Sequence, residues 1–356
     1  MEMKKQKISE MVIELLCIEG LVDRIRNIKV HANALSLKNF TGFLAMILVV
    51  LLFLSGALMA FYYTPAPGVS YDSVDFAMFD LPFGEIIKGI HHYSWNFLLL
   101  VMGVHLIRSF ILGTYKPPRQ LVWVLGVLIL LVIPLFIITG DLLPWDQRGF
   151  WSTKVRLSII GSVPVIGDFF VRLLQGGPLT GIVALTRFYV LHILFLPSLL
   201  AILIVIHFHL LNHHGIAEPL SKNRSDSERI LFFPSLINRW LFLFILTTVI
   251  LVVVSWLWPP PFGDPADPTD STYVPKPEWW VLFLNQLVSI FKGPLSIVGT
   301  VIIPGGLAGI LLLLPYLDRT KERAPKKRMK LIIVGAIIVA ALIGFSISGY
   351  IEHLGA

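Results

Sequence analysis

Four histidines are the residues of this chain best placed to do chemistry. His91 and His105 stand 14 residues apart in one apolar stretch, and His192 and His207 stand 15 apart in another. A helix turns about 100° per residue, so 14 steps return to within roughly 40° of the starting face and 15 steps to within roughly 60°. At about 1.5 Å rise per residue, the two imidazoles of each helix sit roughly 21–22 Å apart along its axis. Two such helices face to face make two bis-histidine sites stacked across a membrane. That geometry suits two b-type haems and electron transfer from one face of a bilayer to the other. Of the ten histidines in the chain, His92 and His209 fit less well, because they fall about 140° from His105 and about 100° from His192 respectively. A single membrane histidine is readily explained as a hydrogen-bonding partner of a neighbouring helix. Two pairs at nearly equal spacing argue for ligation, since ionisable residues within a membrane are functional by default.

Glycines repeat the same interval. Gly42 and Gly56 are 14 residues apart in the first apolar run, and Gly126 and Gly140 are 14 apart in the third. A flat macrocycle needs backbone to approach closely, and glycine leaves that room; small-residue helix packing is the alternative. Lys88, Arg187 and Arg108 fall near the expected haem edges. There they can pair with anionic propionates, snorkel to the interface or set topology.

These side chains need long membrane helices to position them. The 356 residues are 56% hydrophobic and only 14% charged, where a soluble chain has about a quarter charged; the mean hydropathy is +0.79. Seven apolar runs are long enough to span hydrocarbon: about 43–63, 95–113, 121–140, 187–211, 240–258, 294–317 and 331–350. The expected fold is therefore an all-α integral membrane protein, with a four-helix dihaem bundle followed by a three-helix block. Pro134 and Pro197 fall inside spans, where membrane helices tolerate them. The chain divides into an N-terminal surface segment (1–37), the four-helix domain (38–214), a polar linker (215–238) and the three-helix domain (239–356). Ile8 to Ile28 reads as an amphipathic surface helix, and the start lacks the compact apolar core and cleavage site of a signal peptide. Two long loops, 140–185 and 259–294, are punctuated by Gly and Pro. The first is expected to carry surface helices, and the second an interfacial amphipathic helix in KPEWWVLFLNQLVSIF.

The net charge of +7 does not point to nucleic acid, because its distribution follows the membrane. Basic residues gather at Lys4–Lys7, Lys116–Arg119, Lys222–Arg229 and Arg319–Lys330. Acids occupy the alternate loops at Asp72–Glu85, Asp141–Asp168 and Asp264–Glu278. By the positive-inside rule the N-terminus is cytoplasmic and the C-terminus lies on the opposite, positive side. Cys17 is the only cysteine. An intrachain disulfide, a four-cysteine iron–sulfur cluster and a CxxCH haem attachment are therefore all excluded, and such centres would come from partners.

The stretches LPWDQRGFW (143–151), SVPVIGDFFVRLLQGG (162–177), LTRFYVLH (185–192) and PEWW (277–280) resemble the cytochrome b family of quinol-oxidising respiratory and photosynthetic complexes. The likeness runs from about residue 38 to the C-terminus. It is greatest to the chloroplast-type cytochrome bf complex, in which the cytochrome and a three-helix subunit IV are separate chains. Here GDPADP, PEWW and GGLAGILLLLPYLDR (305–319) continue the same chain. The fusion and the seven-span layout imply a bacterial bc-type complex in the cytoplasmic membrane.

By similarity, His91 and His192 ligate a positive-side, low-potential haem b, and His105 and His207 a negative-side, high-potential one. The charge-derived topology assigns the same sides. Glu278 matches the glutamate of the family's PEWY motif, which works at the quinol-oxidation site with Pro277 and Trp279. Trp280 replaces the family tyrosine, so any role of that hydroxyl does not carry over. On the negative side, His213, His214 and Lys222 are candidates to bind quinone or relay protons, with a plain interfacial role as the alternative, while Asn212 stands where the chloroplast type has arginine. The cysteine that holds an extra covalent haem in some members corresponds to Phe40, and Cys17 does not align with it, so no covalent haem c is expected. The resemblance also implies a Rieske iron–sulfur protein, a c-type cytochrome or similar acceptor, and a homodimer. A dihaem anchor of a quinone-linked dehydrogenase would explain the histidines but not PEWW or the PWDQ loop. A haem-free transporter with histidines along a proton path is a third reading.

Overall fold

The computed structural model describes residues 29–31, 40–215, 217, 229–231, 235–270 and 272–354. The segment expected to be amphipathic (8–28), Cys17 and Lys222 lie outside them. Eleven helices follow in order: α1 (Phe40–Ala60), α2 (Ser70–Phe79), α3 (Gly84–Ile111), α4 (Gln120–Asp141), α5 (Gln147–Gly161), α6 (Gly167–Gln175), α7 (Ile182–His214), α8 (Ser235–Leu257), α9 (Leu282–Ile290), α10 (Val298–Leu317) and α11 (Met329–Leu354). Seven of them, α1, α3, α4, α7, α8, α10 and α11, are long and apolar enough to cross a membrane. The strands among the described residues are one antiparallel pair, Lys29–His31 with Arg229–Leu231.

The helix α3 starts at Gly84, well before the apolar run at 95–113. Lys88, His91 and His92 dilute the hydropathy there, yet none of them breaks a helix. The segments α5 and α6 are the surface helices expected in the 140–185 loop, and a short turn at Trp279–Val281 leads into α9. The short helix α2 had no hydrophobic signal of its own.

The bundle is built from α1 on α3 and α4 on α7, with α8 packed on α3 and α10 on α4. Leu48, Leu98, Ile133, Ile137 and Leu251 form its central cluster, joining α1, α3 and α4 to α8. Large apolar side chains such as Leu58, Val205, Ile245 and Ile337 remain on the outer surface. Lipid tails are as apolar as these side chains, so their exposure is the expected state of a spanning helix.

Both α7 and α10 contain a wide π turn, at Leu191–Phe195 and Val298–Ile302. In each case a proline lies two residues beyond the turn, Pro197 and Pro304. Proline lacks an N–H and crowds the carbonyl four residues earlier. The helix answers by bonding Leu196 N–H to Leu191 O and Ile303 N–H to Val298 O, one residue further back than usual. The first turn contains His192. It absorbs one extra residue, so the 15-residue separation to His207 acquires the phase of the 14-residue spacing on α3.

Two ties connect the loops. At one end Asp146 caps α5, accepting from Gly149 N–H at 2.8 Å, and the PWDQ loop pairs with GDPADP through Gln147 N–H to Asp264 O and Ala266 N–H to Trp145 O. At the other end Asp318 accepts from Lys116 Nζ at 2.6 Å, Tyr115 OH at 2.6 Å and Arg328 Nε at 3.3 Å. All three charged side chains are almost wholly buried. Arg328 also donates to the Phe110 and Ile111 carbonyls at the end of α3. Burial alone would raise the Asp318 carboxyl, but the hydrogen bonds from Lys116, Tyr115 and Thr320 hold it well below the usual carboxylate range.

This cluster locks the α3–α4 turn to the α10–α11 turn. Removing one partner of a buried ion pair typically costs about 3–5 kcal/mol, because the remaining charges stay desolvated. Asp318→Ala is therefore expected to lower the thermal midpoint of the detergent-solubilised protein, followed by helical circular dichroism. A midpoint equal to that of the parent would show that the cluster does not hold these turns.

Candidate functional site

The imidazoles of His91 on α3 and His192 on α7 face each other with ring centroids 6.3 Å apart and planes at 60°. Each is backed by a hydroxyl and a glycine. Ser55 Oγ lies 3.0 Å from His91 Nδ1, and Thr139 Oγ1 lies 3.1 Å from His192 Nδ1. Both hydroxyls already donate to their own helices, Ser55 to Leu51 O at 2.6 Å and Thr139 to Leu135 O at 2.8 Å. They therefore meet the imidazoles with lone pairs, so each Nδ1 carries the proton and donates it. The lone pair left on each ring is at Nε2, which is the metal-ligating nitrogen.

The glycines close the cradle. A Cβ on Gly56 would stand 3.1 Å from His91 Cε1, and one on Gly140 would stand 2.6 Å from His192 Cε1. The opposite level repeats the pattern: a Cβ on Gly42 would lie 3.6 Å from His105 Cε1, and one on Gly126 would lie 3.5 Å from His207 Cε1. Thr41 Oγ1 is 2.9 Å from His105 Nδ1. The sequence analysis singled out the glycines but not the hydroxyls, although Thr41, Ser55 and Thr139 each immediately precede one of them.

These residues fit a bound haem. Two metal–imidazole bonds of about 2 Å each, plus two ring radii of about 1 Å, span roughly 6 Å, which matches the His91–His192 separation. Among the described residues no three His, Cys, Asp or Glu side chains form a metal site. A metal held by two histidines there would take its other ligands from a non-protein group such as a porphyrin.

Near the His91–His192 level, Asp141 follows Gly140 at the end of α4. Its carboxylate binds Arg148 NH2 at 3.2 Å and Arg156 NH1 at 2.8 Å. Arg148 NH1 reaches across to Glu278 Oε1 at 3.2 Å, and Trp280 Nε1 donates to Glu278 Oε2 at 3.0 Å. The Glu278 side chain is 14% exposed. Burial raises its carboxyl above the ordinary value, with Asp141 adding to the rise, while Arg148, Trp280 and Arg156 pull it down. Sequence reasoning named Glu278 but used Asp141 only as a marker of topology and did not single out Arg148. The seven-residue interval from Asp141 to Arg148 spans a turn, so no helical periodicity connects them.

The remaining candidates occupy distinct places. Trp279 Nε1 donates to Asn96 Oδ1 at 2.7 Å, and Trp280 packs on the central cluster. Pro277 lies beside them at the start of the turn, partly exposed. Lys88 Nζ bonds Met78 Sδ at 2.9 Å and Pro261 O at 3.3 Å, and lies over the Phe262 ring. Arg187 donates to the carbonyls of Arg172 and Leu173, tying down the end of α6. Arg108 sits in the last turn of α3, one turn beyond His105. His213 and His214 end α7 with rings 5.0 Å apart.

Seven helices long and apolar enough to cross a membrane, the facing His91–His192 pair and four imidazoles each against a glycine fit a b-type membrane cytochrome. The family model for "Cytochrome b(N-terminal)/b6/petB" matches residues 96–265. Cytochrome b6 of Synechococcus sp. (strain RCC307) is 38% identical over 209 residues, covering 58% of this chain and 94% of that protein. Cytochrome b6 of Prochlorococcus marinus (strain MIT 9303) is 39% identical over 179 residues, covering 50% and 82%. Among solved structures, a chain of a "Hyperthermophilic respiratory Complex III" superposes with a TM-score of 0.82 at 25% identity, covering 96% of this chain and 91% of that one. The chain belongs to the cytochrome b family of bc and bf complexes. It is an integral membrane protein and a cytochrome b subunit of a bc-type complex, and haem b binding follows from that membership.

Proposed function

We propose that this subunit oxidises quinol at the Glu278 end and delivers one of the two electrons across the membrane. The observation that carries the proposal is the placement of Glu278. It is a largely buried carboxylate in a PEWW turn, linked through Arg148 to Asp141, the residue beside the Gly140 on which His192 packs. Oxidation of a quinol to a quinone breaks two O–H bonds and releases two protons and two electrons. Glu278 accepts a proton from a quinol hydroxyl and passes it outward, while Arg148 and Trp280 hold its two oxygens. One electron leaves to a Rieske-type iron–sulfur partner docked on the loops at 140–185 and 259–294, and from there to a c-type cytochrome or similar acceptor. Two bound haems b, low-potential at His91/His192 and high-potential at His105/His207, supply a one-electron relay that lets the second electron reach quinone at the far end.

In this reading the Glu278 end faces the positive side of a bacterial cytoplasmic membrane and the N-terminus is cytoplasmic, an orientation that the charge distribution supports. Protons released on one side and consumed on the other store energy as a gradient. His213, His214 and Lys222 are the proposed contributors to the negative-side quinone site. Residues 38–214 form the cytochrome domain and 239–356 the subunit IV-like domain, and two copies form the working dimer.

The reading is tested by a redox-titrated visible spectrum of the purified complex with haem extraction. Two b haems per chain with separated midpoints are expected. One haem or none would overturn the relay and favour a transporter built on the same helices.

A further inference from the structure

The four histidines share one register, and one of them departs from it. Each ring packs against a glycine, and the residue before that glycine faces Nδ1. That residue is Thr41 for His105, Ser55 for His91 and Thr139 for His192. Before Gly126, which faces His207, stands Leu125. His207 Nδ1 is accordingly buried with no hydrogen-bond partner among the described residues. What the His207 ring lacks is therefore the hydroxyl.

We propose that this missing hydroxyl helps set the direction of electron flow: Ser55 and Thr139 strengthen both ligands at the Glu278 end, whereas Leu125 leaves His207 without such support. The proposal rests on the two-haem reading above and adds these chain-specific residues to it. An imidazole that donates Nδ1–H to an acceptor becomes a stronger donor at Nε2. A stronger ligand favours ferric over ferrous iron and lowers the midpoint. Both ligands at the Glu278 end have such a hydroxyl, whereas one of two has it at the other end. The end that receives electrons from quinol is thereby made the more reducing, and transfer toward His105/His207 runs downhill. Hydroxyls at this distance act on the metal only through the rings, so Thr41, Ser55, Thr139 and Leu125 are positioning residues.

The isosteric pair Thr and Val isolates the hydroxyl from its shape. Leu125→Thr and Leu125→Val would be compared in the purified complex by redox titration, haem by haem. The low-spin ferric electron paramagnetic resonance signal gives a second readout. Leu125→Thr is expected to lower the midpoint of the His105/His207 haem relative to Leu125→Val. The size expected is about a tenfold change in electron partition between the haems, or about 59 mV for one electron. Thr139→Val is expected to raise the midpoint of the other haem by a similar amount, and Thr139→Ser to restore it. If Leu125→Thr loses haem, the Thr139 series decides the matter alone. Equal midpoints for the Thr and Val members, with both haems present, would overturn the proposal. A parent protein without two separately titrating b haems would instead overturn the reading on which it rests.

Discussion

Replacing His192 with alanine is expected to halve the haem extracted per chain and to stop quinol oxidation, while the helices still fold. The ring is held from three directions. Thr139 fixes its Nδ1, Gly140 lets it lie against α4, and the π turn at Leu191–Phe195 aims it at His91. Among the described residues no neighbouring histidine is placed to substitute. His92 packs edge-on against Tyr93 and Trp95, and with one residue absorbed by the π turn His209 lies about 160° around α7 from His192. Gly140→Leu should produce the same loss with the imidazole still present. Even the first carbon of that side chain would sit 2.6 Å from His192 Cε1 and 3.1 Å from its Nδ1, inside van der Waals contact with the ring. The readout is the pyridine haemochrome per chain, with the His105/His207 midpoint as an internal control. A full complement of haem in His192→Ala would remove this histidine from the ligand set.

The sequence carried the helices and the histidine levels because both depend on periodicity. Hydropathy over a window reports length, and a 14-residue interval reports phase, so seven spans and the two pairs could be read without coordinates. Three features were out of reach for different reasons. The start of α3 was hidden because hydropathy sees Lys88 and His91 as polar, whereas the fold gives Lys88 Met78 and Pro261 as partners. The equivalence of 15 and 14 residues depended on a π turn. Its signal, Pro197 two residues past the turn and repeated at Pro304, becomes readable only once the turn is known. The hydroxyls beside the glycines were visible in sequence, but their meaning needed the His rings across the bundle. The Asp141–Arg148–Glu278 bridge was the least accessible, since it joins residues 137 apart through a turn and a loop with no shared period.

Glu278→Gln is expected to slow quinol oxidation by the order of 10²-fold, the usual scale of a general base, with haem content unchanged. The amide matches the carboxylate in shape and can still accept from Trp280 Nε1, and Arg148 keeps Asp141 as its ion-pair partner. The turn should therefore hold while the proton acceptor is lost. The pH profile separates this role from a structural one. On the proposed mechanism the ionised carboxylate is the competent form, and burial with Asp141 nearby raises its pKa above the 4.5 of a free glutamate. The parent rate should thus fall on the acid side as pH drops through that raised value, and Glu278→Gln should lose this limb. The neighbours predict how the limb moves. Arg148 lowers the Glu278 pKa and Asp141 raises it. Arg148→Met should shift the acid limb to higher pH, and Asp141→Asn should shift it to lower pH. Opposite displacements from two residues that bind each other cannot come from general loosening of the loop, which would move both the same way. A Glu278→Gln enzyme that keeps the parent rate and acid limb would show that the quinol proton leaves by another route.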